Sequence, residues 1–240
     1  MGGGGSWRAV VPVRAFAQGK TRLRRSGHDP AVTELARLLA LRTIAVLESV
    51  PQISSVLVVT DETGESFAAS TKTSVLREPR PAGLNTAVER GLLELGYGAG
   101  RAVADPVRIL VLHADLPLVE PGEVAETLLA VEGLGADAFV ADESGTGTTA
   151  LAFFGGAFRA PGFGPGSALL HRLRGFASLA LPPEHGMRRD LDTWEQVSTY
   201  LRSPQQPAVS ELLASAEWSA RARGTRVEAS PARLALSSRS

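Results

Sequence analysis

The sequence predicts an α/β fold, a mostly parallel mixed sheet flanked by helices. Two observations carry this. Short runs of apolar and β-branched residues alternate with longer segments whose apolar positions recur every three or four residues. Apolar residues make up 44% of the 240, enough to cover both faces of such a sheet.

Each element has its own signal. Residues 7–13 form the first short β-branched run and read as a buried strand. A basic loop spans 14–25. Residues 30–49 read as a helix. Asp29 suits its cap and Pro30 its first turn, while Val32, Leu35, Ala36, Leu39, Val46, Leu47 and Val50 recur at helical spacing. Strands are expected at 56–59 and 74–76, a helix at 85–95 and a central strand at 107–112. A helix at 120–131 precedes strands at 138–141 and 149–154. A helix at 167–173, a strand at 177–181 and a helix at 193–201 complete the pattern. Residues 1–6 read as a flexible glycine-rich lead and residues 7–202 as one domain. Residues 203–240 read as an appendage rich in Ser, Ala, Pro and Arg, with one helix expected at 211–222.

Composition removes several function classes. Lys plus Arg equals Asp plus Glu at 25 each, so there is no basic surplus to hold a nucleic acid. Cysteine is absent, which excludes disulfides, thiolate catalysis and Cys-based zinc sites. Four scattered histidines do not suggest a multi-histidine metal centre. No apolar run approaches the ~20 residues of a membrane span, so a cytoplasmic protein is expected.

In α/β sheets ligands bind at the carboxyl ends of strands, so the residues just past each strand matter most. After the first strand come Arg14, Lys20, Arg22, Arg24 and Arg25. Gly19-Lys20-Thr21 matches only the end of a Walker motif, because Arg14 stands where its first glycine belongs. Such a loop suits a polyphosphate, held by side-chain charge and backbone N–H groups. Directly after the central strand stands His113-Ala114-Asp115-Leu116-Pro117, where the hydrophobic pattern does not explain Asp115. Asp190 and Asp192 share one side if their segment is extended, or Asp192 only caps the next helix. With Asp115 they make three carboxylates suited to one or two Mg²⁺ ions. Residues 145–148 form a Gly/Thr turn that offers donors to an anion. Gly164 and Ser167 lie where a second such site enters a helix. Asn85 and Thr86 open another helix, where an amide either caps or reads a nucleobase.

The order of these motifs is more informative than any one of them. A K-T-R-L loop, a G-L-N-T helix start, a D-L-P strand end, a G-T-G-T turn, an F-G-P-x-S helix start and a D-x-D-T pair succeed one another along the chain. Over roughly residues 7–202 this resembles the phospholactate/phosphoenolpyruvate guanylyltransferase family of coenzyme F420 biosynthesis. The resemblance implies a GT-A-like nucleotidyltransferase fold and transfer of GMP from GTP to a small phosphorylated acid, with release of pyrophosphate. It implies that Arg14, Lys20 and Arg22 bind the GTP phosphates, with Lys20 and Asp115 as the catalytic pair. Asn85 and Thr86 would lie in the nucleotide pocket. Asp115, Asp190 and Asp192 would hold Mg²⁺, and Thr148, Gly164 and Ser167 would hold the acid, phosphoenolpyruvate being favoured over 2-phospho-L-lactate. Two positions depart from the family pattern: Ala114 replaces a usual glycine, and Gln196 a frequent aspartate. Molybdenum-cofactor and sugar-phosphate nucleotidyltransferases usually open with a glycine-rich stretch, where this chain has Val11-Pro12-Val13-Arg14-Ala15-Phe16-Ala17. A GTP-binding regulatory module without turnover would need fewer carboxylates.

Overall fold

Trp7–Val13 forms β1, an inner strand next to the central one of a seven-stranded sheet. The computed structural model describes residues 6–24, 29–62, 67, 70–97, 108–155 and 159–200. The other strands are β2 (Ile53–Thr60), β3 (Thr73–Arg77), β4 (Arg108–Leu112), β5 (Ala138–Ala141), β6 (Thr148–Phe154) and β7 (Ala177–Ser178). Their order is β3-β2-β1-β4-β6-β5-β7. β1 runs parallel to β2 and β4, β2 to β3, and β5 to β7. Among the described strands only β6 is antiparallel, to both of its neighbours. The sheet is therefore mixed and mostly parallel, as expected.

The helices are α1 (Pro30–Ser49), α2 (Leu84–Glu94), α3 (Pro121–Leu134), α4 (Ser167–Leu173) and α5 (Trp194–Tyr200). Asp29 caps α1 by accepting the Val32 N–H at 3.4 Å, and Pro30 begins it. A capping box between Glu120 and Glu123 opens α3, and Gly135 closes it in the left-handed conformation at φ 61°.

Side chains along each central strand point to alternate faces. Ala9, Val11, Leu110 and Leu112 pack with Leu47 of α1 and Leu128 of α3. Val10, Val59, Ile109 and Val111 pack with Val88 and Leu92 of α2 on the other face. Both faces are covered, which is why these strands read as continuous apolar runs. Because α1 and α2 lie on opposite faces, the neighbouring strands β1 and β4 flank the point where the strand order reverses. That is where an α/β sheet opens a crevice.

Most strands match the sequence expectation to within a residue at each end, and two differ by three residues at one end. β2 starts at Ile53 because Ser54 satisfies its hydroxyl on the Trp7 carbonyl at 3.0 Å, so a polar residue fits the ladder. β7 stops after Ser178, and the Leu181 carbonyl turns to accept from Arg188 instead. The chain divides into two compact units, Met1–Leu191 and Asp192–Ser240. The break falls after Leu191, so the expected boundary at 202/203 lies inside the second unit. The expected helix at 211–222 and the rest of the appendage lie outside the described residues. Among the described residues no helix is long and apolar enough to cross a membrane.

α2 meets the sheet through Gly91. A Cβ there would stand 2.7 Å from Val10 Cγ1 and 3.0 Å from Val59 Cγ2. Both neighbours are β-branched and fixed in central strands, so neither swings aside. Gly91→Ala gains about 1 kcal/mol of helix propensity. Overpacking costs about 1–3 kcal/mol, and with two contacts this close the clash wins. A lower urea midpoint is expected; a midpoint equal to or above the parent would show that α2 re-seats without strain.

Candidate active site

The loop after β1 is more ordered than a basic surface loop. It makes two 3-10 turns, Phe16–Gln18 and Thr21–Leu23, with Phe16 and Leu23 buried as anchors. Arg24 holds them together. Its guanidinium donates to the carbonyls of Gly19 (2.8 Å), Asp29 (3.1 Å) and Phe16 (2.5 Å), and to Thr33 Oγ1 (3.1 Å). From sequence Arg24 is one of the loop's phosphate cations; in the structure its donors are taken up in fixing the loop to the start of α1. Two of the backbone N–H groups that could meet an anion are also occupied. Ala15 donates to Asp61 Oδ1 at 2.5 Å and Phe16 to Glu62 Oε2 at 2.7 Å. Arg14 and Arg22 are exposed at the surface of this loop, and Arg14 Nη2 lies 3.3 Å from Gln18 Oε1.

Lys20 is the one described non-glycine residue with positive φ, at 52°. A left-handed lysine costs on the order of 1 kcal/mol, a local strain typical of functional sites. That backbone turn aims its side chain at Asp115, with Nζ 2.5 Å from Oδ2. The Lys20 side chain is 7% exposed and that of Asp115 27%. Burial pushes the Asp115 carboxyl up, but the charges of Lys20 and His113 outweigh it and hold the group below its ordinary value. Oδ1 is buried and has no hydrogen-bond partner. An ionised oxygen in that state fits a hard cation, which prefers carboxylate and phosphate oxygens. The Leu191 N–H donates to the Asp115 carbonyl at 3.0 Å, which brings the segment carrying Asp190 alongside. Asp192 belongs to the second unit. Among the described residues no three Asp, Glu or His side chains gather as a metal cluster, so the expected three-carboxylate set is not assembled here.

The remaining expected residues divide sharply. The 145–148 turn does not cradle an anion, because Asp142 closes it. Thr146 N–H donates to Asp142 Oδ1 at 3.0 Å and Gly147 N–H to Oδ2 at 2.9 Å. Thr148 is buried, and its hydroxyl lies 2.9 Å from His171 Nδ1. His171 Nε2 accepts the Gly162 N–H at 3.0 Å, so the proton sits on Nδ1 and is donated to Thr148. Asn85 does not cap α2. Its Nδ2 donates to the Phe163 carbonyl at 3.0 Å and its Oδ1 accepts the Phe163 N–H at 2.7 Å. It therefore shapes the loop of Gly164 (φ 137°) and Gly166 (φ 73°) that enters α4. Ser167 comes next, and its hydroxyl is buried without a partner. Thr86 only returns its hydroxyl to the Ala82 carbonyl at 3.3 Å.

Both departures from the family pattern are absorbed locally. Ala114 packs against the core between the sheet and α1 and α3. Gln196 Oε1 accepts the Thr193 N–H at 2.9 Å while Thr193 Oγ1 receives the Gln196 N–H at 3.3 Å. Thr193, not Asp192, thus caps α5 in a capping box.

A family model described as guanylyl transferase CofC like matches residues 7–171. The chain belongs to this family. A phosphoenolpyruvate guanylyltransferase from Streptomyces coelicolor is 36% identical over 78% of this chain and 86% of its own length. One from Mycolicibacterium gilvum is 34% identical over 86% and 94%. Among solved structures, a nucleotide-diphospho-sugar transferase from Desulfovibrio desulfuricans superposes with a TM-score of 0.64 at 14% identity, covering 91% of this chain and 97% of that one. A 4-diphosphocytidyl-2C-methyl-D-erythritol synthase does so at 0.53, with 15% identity, 88% of this chain and all of that one. These two likenesses show a fold shared with nucleotidyltransferases of GT-A-like type.

His171 links this CofC-like site to pH. Burial first, then the charges of Arg174 and His113, push its imidazole down to about 4. The unfolded chain takes up that proton near pH 6.5, before the folded one does. Stability is therefore full above about pH 6.5 and falls as pH drops toward 4, by roughly 3 kcal/mol at most. In urea unfolding at stepped pH, His171→Gln should show a shallower loss between pH 7 and 4.5 than the parent. Equal slopes would place the parent's acid sensitivity elsewhere.

Proposed function

We propose that this chain transfers GMP from GTP to the phosphate of phosphoenolpyruvate, releasing pyrophosphate, as a step of coenzyme F420 biosynthesis. The observation that carries the proposal is the Lys20–Asp115 pair at the β1/β4 crevice, with one carboxylate oxygen left open, in a chain of a guanylyl transferase family. The eight curated relatives compared are all named phosphoenolpyruvate guanylyltransferase, which favours phosphoenolpyruvate over 2-phospho-L-lactate as acceptor.

In this reading a phosphate oxygen of the acid attacks the α-phosphorus of GTP in line. The bond to the β-phosphate oxygen breaks and pyrophosphate leaves. The acceptor phosphate is already ionised near neutral pH, so no general base and no covalent nucleophile are needed. The protein positions the two substrates and offsets their charge. Lys20, with Arg14 and Arg22, holds the triphosphate. Nucleotidyltransferases of this kind typically use a divalent metal, which we assign as Mg²⁺; Asp115 and Asp190 would hold it, and it would offset the repulsion between the attacking phosphate and the α-phosphate. Thr148 and Ser167 hold the acid, and their roles differ. Ser167 offers an unpartnered hydroxyl, whereas the Thr148 hydroxyl accepts from His171 and keeps its own proton to donate.

The direct test is pyrophosphate release with Mg²⁺ and GTP, comparing phosphoenolpyruvate, 2-phospho-L-lactate and 3-phosphoglycerate, with ATP and CTP as controls. Release with GTP and phosphoenolpyruvate is expected. GTP binding without release for any acid would point instead to a regulatory module. Asp115→Asn should lower kcat by about 100-fold or more with the fold retained, and wild-type turnover would remove Asp115 from the site. Ser167→Ala should raise the KM of the acid more than that of GTP. A change confined to GTP would mean that Ser167 faces the nucleotide.

A further inference from the structure

Beside the β1/β4 crevice lies a cavity of about 190 Å³, at the carboxyl ends of β1, β2 and β3 and against the first turn of α2. Val13, Pro81, Leu84 and Ala87 give it apolar walls. Neither Asn85 nor Thr86 lines it. It is smaller than the ~300 Å³ at which pockets take drug-sized ligands. Its size suits a ring rather than a whole nucleotide.

Three charged side chains interrupt those walls: Arg14 at the end of β1, which reaches from here toward the phosphates, and two carboxylates, Asp61 after β2 and Glu78 after β3. The two carboxylates are not equivalent. Asp61 is engaged by the Ala15 N–H. The Glu78 side chain is 4% exposed and its Oε1 accepts from Arg90 Nη1 at 3.1 Å. Its Oε2 has no hydrogen-bond partner among the described residues. The Glu78 N–H donates to the Thr60 carbonyl at 2.8 Å, so the backbone carrying this carboxylate is fixed to the sheet. Oε2 faces the cavity's opening rather than the packed interior, and in a side chain so little exposed a ligand that supplies donors to it gains more than it would in open water.

We propose that this cavity is the nucleobase pocket and that Glu78 selects guanine, its carboxylate accepting from the N1–H and the 2-amino group of the base. The proposal rests on the guanylyl-transfer reading above. The chemistry that chooses the base is simple. An ionised carboxylate only accepts hydrogen bonds. Guanine presents two donors side by side on its pairing edge. Adenine and cytosine each present one amino donor beside a ring nitrogen with a lone pair, which a carboxylate repels. A site built to meet specific donors rejects analogues that lack them.

The experiment titrates the full chain with GTP, ITP and ATP in the presence of Mg²⁺, and measures turnover with phosphoenolpyruvate in parallel. ITP is GTP without the 2-amino group. The parent should bind GTP about tenfold or more tightly than ITP, and ATP more weakly still. Glu78→Gln should weaken GTP binding by about tenfold or more and shrink the GTP-over-ITP preference to within about threefold. A Glu78→Gln protein that keeps the parent's GTP-over-ITP ratio would overturn the assignment. Ala87→Leu is the second variant, since it fills the cavity without touching the carboxylate. It should weaken GTP and ITP alike, and parental GTP affinity would show that the base binds elsewhere. Base discrimination that depends on Glu78 without pyrophosphate release would refute guanylyl transfer and support the pocket. Pyrophosphate release with an unchanged ratio would refute the pocket alone.

Discussion

Lys20 reaches Asp115 across the gap between β1 and β4, and the candidate site is organised around that contact. The two strands are parallel neighbours, so the loops after them leave the sheet at the same edge. α1 departs on one face and α2 returns on the other, which leaves the crevice open between them. A nearly buried lysine and a partly buried carboxylate gain little net stability from each other, because desolvation offsets most of their attraction. The left-handed backbone at Lys20 adds a further cost. Stability therefore does not explain the pair, which supports the proposed role in binding charge.

The loop that carries Lys20 tolerates this strain because other side chains fix it. Arg24 ties four acceptors along the loop and the start of α1. Asp61 and Glu62, at the end of β2, hold the N–H groups of Ala15 and Phe16 from the other side. On the side proposed to bind the acid, Asn85 does the same for Phe163, and His171 joins Thr148 to Gly162. The proposed substrate-contacting groups thus stand on a second layer of hydrogen bonds, which sets their direction before any ligand arrives.

The fold was largely legible in the sequence because its signals are local. Asp29 and Pro30 mark the start of α1 through backbone chemistry that does not depend on the rest of the chain. Apolar runs marked the buried strands, and Asp115 stood out because a carboxylate directly after a core strand has no packing reason to be there. What could not be read was how each polar side chain is used. Arg24 and Asn85 carry the right chemistry for phosphate and base, but their partners lie on segments that meet only in the fold. The 145–148 turn looked open because Asp142, which closes it, is an ordinary strand-end residue in sequence. Glu78 was missed for a related reason. It stands just past a five-residue edge strand whose apolar signal is short, and only the cavity beside α2 makes its burial informative. Gln196 carried a usable signal, since Thr193 three residues before it is the sequence signature of a capping box.

These placements divide the labour at the site in a way that motif order alone does not. In a phosphate-binding loop built from glycine, backbone N–H groups do most of the work. Here the N–H groups of Ala15 and Phe16 are already held by carboxylates, and those of Thr146 and Gly147 by Asp142. With these N–H groups taken, the proposed triphosphate site draws more of its charge from side chains, Lys20 inside the crevice and Arg14 and Arg22 at its rim. Rim charges are screened by salt and attract without fixing a geometry. Lys20 is the exception, since its burial preserves its field and its contact with Asp115 fixes its position. On the proposed reading, geometry at the reacting phosphates falls to Lys20 and Asp115, whereas identity of the base falls to a separate pocket at the ends of β1, β2 and β3 beside α2. Such a separation would let the fold keep its chemistry while its choice of base changes.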